Sequence, residues 1–335
     1  QQTGRRPGTA DHFAALPGPP WKLFTRGAGK LEPAGHSLRF VTAGAVAGRY
    51  SNAQLDDYRG LPRRKFLWRP PLKMTVRASF SHPAGELRGT AGFGFWNDPF
   101  LMTGLRRPTL PRAVWFFYAS PPSNMKLHLT TPGSGWKAAT IDALRPSFLA
   151  LAALAPLAVP LMRFGPLYRA LWPAAQRAIN VSEAPVAAAM TARHTYTLHW
   201  LPGGVRFGVD GETILNCRTV PRGPLGFVMW LDNQYMVVTP WGRLKHGLLN
   251  APGTQWLEVD RLEIEPIATS PNLRYKPTRL RRKPAMTITL RCIACQKNTP
   301  PPRFATCATA AACSTCGTIW KPCAPTSRAA CSTGG

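Results

Sequence analysis

Two sets of side chains in this sequence could do chemistry, and they lie in different parts of the chain. The first mixes rings with directed polar groups: Trp96-Asn97-Asp98, Trp115, Tyr118, Trp230 and Asp232-Asn233-Gln234-Tyr235. Pyranose rings expose apolar C–H faces that stack on Trp and Tyr, while Asn, Asp and Gln offer oriented hydrogen bonds to hydroxyls. A few convergent polar groups among aromatics are what a ligand groove requires. These ten residues are the expected ligand contacts. The competing role for the same residues is structural, with Trp96 and Trp230 in a core and Asp98 and Asp232 closing turns. The second set is Cys292-Ile-Ala-Cys295, seventeen residues, then Cys313-Ser-Thr-Cys316. Two C-x-x-C pairs at that distance fit a zinc ribbon over residues 290–318, with four thiolates around one ion.

The tail leaves other readings open. Its spacer holds little strand-like sequence, and Cys307, Cys323 and Cys331 are surplus, so a disordered or artefactual tail and a disulfide set remain alternatives. The basic segment Arg274 to Lys283 could touch nucleic-acid phosphates if the ribbon forms, or serve as a solvated linker. Elsewhere the chemistry is sparse. His194 and His199 differ by five along one strand, point to opposite faces and cannot chelate one ion together; His194 reads as a structural hydrogen-bonding residue. Ser120 and Ser123 flank a Pro-Pro pair without a recognisable base, which speaks against a serine hydrolase. Cys217 stands alone in the first 270 residues, so the main domain needs no disulfide framework.

These groups sit in a chain of 335 residues with 44% hydrophobic residues and a net charge of +27, which excludes wholesale disorder and allows about two domains. The charge is uneven: from Pro271 onward there are 11 basic residues and no acid. Such a balance favours adhesion to anionic polymers or membrane surfaces without specifying either. The chain begins with Gln1, and an extracellular location is expected if a leader has been removed. Phe148 to Met162 is the one long apolar run. At 15 residues, with two prolines, it is too short to span a bilayer, so no membrane span is expected.

The elements that must carry the site read mainly as strands. Residues 1–35 are expected to be a loose leader. Short alternating runs bounded by Pro, Gly and Asn predict strands at Leu72–Phe80, Thr90–Trp96, Ala113–Tyr118, Thr195–Leu201, Val205–Val209, Leu225–Leu231, Tyr235–Thr239 and Gln255–Glu265. Without regularly interposed helices, this is an all-β, two-sheet antiparallel sandwich. Pro202-Gly203-Gly204 and Asp210-Gly211 mark two successive reversals. Residues 143–190 change period and predict short helices broken at Pro156, Pro160 and Pro166, either capping the sandwich or forming a greasy lid or lipid-contact element beside a groove.

Four segments together carry a resemblance: MTVRASFSH, GTAGFGFWNDPF, HTYTLHWLPGGVRFGVDGETIL and QWLEVDRLEIEP. They resemble the concanavalin A-like lectin/glucanase sandwich and, within it, the family-16 glycoside hydrolases, over residues 36–266. His194, Tyr196 and Trp200 match that family's H-x-Y-x-x-x-W strand, and Val209-Asp210-Gly211 its following turn. The resemblance implies a jelly roll over residues 36–268, ahead of a basic cysteine-rich tail at 269–335. It also implies catalysis by E-x-D-x-E or E-x-D-x-x-E on one strand, with retaining hydrolysis needing two carboxyls roughly 5–5.5 Å apart.

The strand in the catalytic position, Arg112 to Ser120, contains no Asp or Glu, so the family's nucleophile and acid cannot be carried over. Glu258-Val-Asp260-Arg-Leu-Glu263 has the right spacing on the wrong strand. Leu257, Val259, Leu262 and Ile264 are expected to face inward on either side of a bulge, leaving the acids solvated on an edge strand. The expectation is therefore a carbohydrate-binding sandwich for oligo- or polysaccharide, with no cofactor in the sandwich and zinc confined to the tail. One alternative is an active glycoside hydrolase with relocated acids, Asp98 and Asp232 being the first candidates. The other is a zinc-ribbon nucleic-acid or protein adaptor.

Overall fold

A computed structural model of the chain describes residues 9–11, 13, 17–99, 107–218, 220–267, 290–291 and 298–299. The chain divides into two units, Gln1–Arg279 and Leu280–Gly335. Within the second, Leu290–Arg291 pairs antiparallel with Asn298–Thr299. Cys292, Cys295, Cys313 and Cys316, and the basic segment 274–283, lie outside the described residues.

The first unit is a two-sheet antiparallel sandwich of jelly-roll type. One sheet runs in the order β13 (Glu212–Cys217), β12 (Gly204–Val209), β11 (His194–Leu201), β6 (Leu72–Phe80), β17 (Ala251–Pro266), β4 (Leu38–Ala45) and β3 (Gly29–Pro33). A short β1 (Thr9–Asp11) also pairs with β17. The other sheet runs β10 (Ser182–Pro185), β9 (Gly135–Asp142), β8 (Arg112–Ala119), β7 (Thr90–Trp96), β14 (Gly226–Asp232), β5 (Asn52–Asp56) and β2 (Lys22–Arg26). A separate hairpin joins β15 (Gln234–Val238) to β16 (Leu244–Leu248).

Alternation explains how the sheets pack. Met74, Val76 and Ala78 on β6, Tyr196, Leu198 and Trp200 on β11, and Val205, Phe207 and Val209 on β12 enter the inter-sheet core. There they meet Phe93 and Phe95 of β7, Phe116 of β8 and Phe227 and Met229 of β14. The β12–β13 connection is a two-residue turn in which Asp210 (φ 50°) and Gly211 (φ 84°) both take positive φ, the geometry that matches strand twist. Asp210 accepts a bond from the Thr195 amide at 2.8 Å and pairs with the His194 ring. The H-x-Y and V-D-G motifs thus hold one corner of the sandwich.

Three expectations are corrected. Residues 1–35 are not a loose leader throughout: β2 and β3 pair with β5 and β4, and Trp21 enters the core. Their mixed charged sequence hides edge strands that bury one side only. The helical insertion is shorter than 143–190, comprising α1 (Pro146–Ala152), α2 (Ala155–Leu161) and α3 (Gly165–Ala178) before the chain returns as β10. Pro146, Pro156 and Pro166 occupy the first or second position of these helices, where no amide donor is needed, so they start helices rather than break them. Finally, β17 is no edge strand, because it pairs with β6 on one side and β4 on the other. Its bulge falls between Val259 and Arg261, and Leu257, Val259, Leu262 and Ile264 are fully buried on either side.

Candidate functional site

The face of the β7–β8–β14 sheet turned away from the core carries a second apolar cluster and a cleft of about 340 Å³. Strand alternation decides its floor. On β8, Val114, Phe116 and Tyr118 point into the core, which leaves Ala113, Trp115 and Phe117 on the cleft side. On β7 the cleft-side positions are Thr90, Gly92, Gly94 and Trp96. A Cβ at Gly92 would lie 2.3 Å from the Phe116 carbonyl oxygen, and one at Gly94 would lie 2.6 Å from the Trp115 Cβ. The glycines let large rings from both neighbouring strands fold over the floor, and the Gly-Phe-Gly-Phe alternation was the signal for it.

Four rings fill that space. Trp96 and Trp230 stack with centroids 6.4 Å apart and planes 8° apart, Trp115 stacks on Phe117 at 5.1 Å, and Trp115 reaches Trp230 at 5.5 Å. The Trp96 indole N–H donates to the Tyr58 hydroxyl and that of Trp230 to Thr90 Oγ1, both within 2.9 Å. Trp96, Phe117 and Trp230 are buried, whereas Trp115 is half-buried and is the most exposed of the four.

Polar groups gather at two places on the lining. At one, Asp232 Oδ1 accepts bonds from Thr90 Oγ1 (2.7 Å), the Thr90 amide (3.3 Å) and the Gln234 amide (3.1 Å). Burial raises the Asp232 carboxyl to about 6 despite these donors. Tyr50 lies nearby on the lining. Burial, then the Asp232 charge, push its hydroxyl well above the usual phenol value against the opposing pull of Gln234 and Asn52. Gln54 of β5 completes this end. At the other, Lys137 of β9 donates to Glu183 of β10 at 3.1 Å. Both side chains are almost wholly buried, and burial raises the Glu183 carboxyl against the opposing pull of the ammonium.

Six of the ten expected ligand contacts line this cleft: Trp96, Trp115, Trp230, Asp232, Gln234 and Tyr235. The other four do not line it. Tyr118 faces the inter-sheet core, where its hydroxyl donates to the Leu87 carbonyl, because it is out of phase with Trp115 and Phe117. Asn97 ties the chain to Leu110 and Arg112. Asn233 holds three carbonyls with its amide nitrogen and the Ser51 amide with its oxygen. Asp98 is fully buried, takes φ 46° and gives its carbonyl to Arg63. Tyr50, Gln54, Lys137 and Glu183 were missed. A lysine or glutamate inside an otherwise small-residue strand reads as surface unless its partner is known.

The Glu258, Asp260 and Glu263 string lies on the outer face of the other sheet. Arg39 and Arg193 bind Glu258, Arg77 and Arg193 bind Asp260, and Arg261 binds Glu263. Burial would raise the Glu258 carboxyl, but the bonds from Arg39, Arg193 and Ser37 outweigh it and hold the group below its usual range. Among the described residues no group of three His, Cys, Asp or Glu side chains could hold a metal ion.

No family model matches the sequence, and no curated protein does. Among solved structures the chain is similar to a Bacillus licheniformis beta-glucanase, at 10% identity and TM-score 0.43, over 79% of this chain and 100% of that one. It is similar to a laminarinase from Flavobacterium sp. UMI-01, at 10% identity and TM-score 0.42, over 78% of this chain and 100% of that one. A GlcNAcα1-4Gal releasing endo-β-galactosidase from Clostridium perfringens is similar at 12% identity and TM-score 0.47, over 82% of this chain and 65% of that one. In each case the likeness is one of fold alone.

Proposed function

We propose that the cleft binds an oligo- or polysaccharide without cleaving it. The observation that carries this reading is the occupancy of the cleft-side positions on β8, where Ala113, Trp115 and Phe117 stand and no carboxylate does. The acids lining the cleft are Asp232 and Glu183, on β14 and β10. Three strands separate these two in the sheet order, so with strands about 4.8 Å apart they stand roughly 19 Å from each other across the sheet. Glycoside hydrolysis needs its two carboxyls at roughly 5–5.5 Å for retention or 6.5–9.5 Å for inversion. The half-buried Trp115 ring supplies a stacking face, while Tyr50, Gln54, Asp232 and Gln234 supply hydroxyl partners at one end.

Affinity electrophoresis against a panel of β-glucans and galactans, run beside a reducing-sugar assay, tests the proposal. We expect retardation by at least one glycan, no sugar release, and at least a tenfold loss of affinity in Trp115→Ala, the order expected for one aromatic platform. Sugar release that vanishes in Asp232→Asn would establish the relocated-acid hydrolase instead. Metal analysis of the full chain tests the tail separately: one equivalent of zinc is expected if Cys292, Cys295, Cys313 and Cys316 form a ribbon.

A further inference from the structure

We propose that the helical insertion is a landing surface for an anionic lipid bilayer. Among the described residues, eight of the eleven large hydrophobic side chains that stand exposed lie between Leu144 and Leu171. Leu149, Leu154, Leu157, Leu161, Phe164 and Leu171 are exposed across α1, α2, the turn before α3, and α3; Leu157 is 70% and Phe164 67% exposed. Apolar area concentrated in this way marks an interaction surface.

The charge around it fixes the partner. From Ala143 to Ser182 there is no Asp or Glu, and the charged residues are Arg145, Arg163, Arg169 and Arg177. Arg163, Arg169 and Arg177 are exposed among the leucines. Leucine and phenylalanine mixed with arginine and free of acid is the composition of a segment that lies in the headgroup region, its rings and methyls among the acyl chains and its guanidinium groups on phosphates. No described helix is long and apolar enough to cross a membrane, so the insertion lies on the surface.

The insertion is fastened on its other side. Phe148 packs against the apolar cluster under the cleft, and Tyr168 packs edge-on against Trp241 at 5.3 Å. The Trp172 indole donates to the carbonyl of Leu127, a cleft-lining residue, at 2.9 Å. Adsorption through the leucines would therefore bring the cleft close to the bilayer.

Flotation of the full chain with vesicles of phosphatidylcholine alone, or with 30% phosphatidylglycerol, tests this. The paired variant Leu157→Ser, Phe164→Ser keeps the charge and alters exposed positions only. We expect at least tenfold stronger partition onto the anionic vesicles, a tenfold or larger loss in the paired variant, and a smaller loss in Arg163→Gln, Arg169→Gln. An unchanged melting temperature shows that the variants fold. Partition that the paired variant leaves intact would assign vesicle binding to the basic tail and overturn the proposal. So would a concentration-dependent dimer of the parent chain that the paired variant abolishes, since a second copy would then cover the leucines.

Discussion

The carboxyl groups that line the cleft and those on the outer face of the other sheet live under opposite electrostatic rules. On the outer face of the β6–β17–β4 sheet, Glu258, Asp260 and Glu263 are bound by arginines, and Glu258 is held below its usual range. On the side of the β7–β8–β14 sheet, Asp56 and Asp142 are likewise paired with arginines, but Asp57, Asp232 and Glu183 are deeply buried without one among the described residues. There Asp57 rises to about 7 and Asp232 to about 6, and Glu183 rises although it has a cation partner. Retaining glycoside hydrolysis requires an ionised carboxylate beside a protonatable one. The two carboxyls that line the cleft, Asp232 and Glu183, are both of the raised kind, which is a physical reason for expecting binding without hydrolysis.

The contrast gives opposite pH dependences, and the largest effect belongs to Asp57. Its carboxyl accepts the Phe227 amide at 2.9 Å and the Trp68 indole N–H, with burial as the main cause of its raised value. A group whose folded value lies above its unfolded one contributes stability that is complete below the unfolded value. Here that is 3.8, and the contribution is lost as pH rises through about 7. The rise corresponds to about 4 kcal/mol. Asp57→Asn, which leaves Trp68 without its acceptor, is expected to be less stable than the parent at pH 4 and to gain about that much on it by pH 8. Urea unfolding across that range checks the sign. A constant difference would mean that Asp57 stays ionised and that the contrast is weaker than the geometry implies.

The Lys137–Glu183 pair sharpens the same contrast at one pH. With both side chains enclosed, Glu183→Gln leaves an ammonium buried without its counter-charge and should cost about 3 kcal/mol at pH 7. Lys137→Met combined with Glu183→Leu should recover most of the loss, since replacing both members of a buried pair by apolar groups is often neutral. Denaturant midpoints of the single and double variants measure this. A single variant near the parent would show that water reaches the pair and that the cleft floor is wetter than its lining suggests.

How much of this was legible depended on which side of a strand carried the information. Leu72–Phe80 and Thr90–Trp96 match β6 and β7 end to end, because one apolar side alternates without interruption. The inward set Leu257, Val259, Leu262 and Ile264, with its bulge, followed from the same rule. β5, Asn-Ala-Gln-Leu-Asp, went unseen although all five of its residues are buried: its cleft side is polar and bonded within itself, Asn52 to Gln54 to Asp56. β9 hid in a similar way behind Lys137 and three alanine and threonine positions. For the site, alternation told which of Trp115 to Tyr118 could face the cleft only as a choice of two phases. Which acids were tied by arginine, and which were left alone, required contacts between residues as distant as Arg39 and Glu258.

The smallest expected effect lies on the outer face and tests whether its acid string is structural. Arg39 and Arg193 are each more than a third exposed, so water screens their attraction to Glu258 and Glu258→Gln should cost about 1 kcal/mol or less at pH 7. The sign is the reverse of that for Asp57. A carboxyl held below its unfolded value of 4.5 gives stability that is present above that value and lost as pH falls through the folded one. The difference between Glu258→Gln and the parent should therefore shrink toward zero as the protein is acidified from pH 6 to pH 3. Glycan retardation should be unchanged in this variant, since its position faces away from the cleft. A variant that kept its stability but lost glycan binding would move the site to the outer face, and the arginine-bound acids would then be its centre.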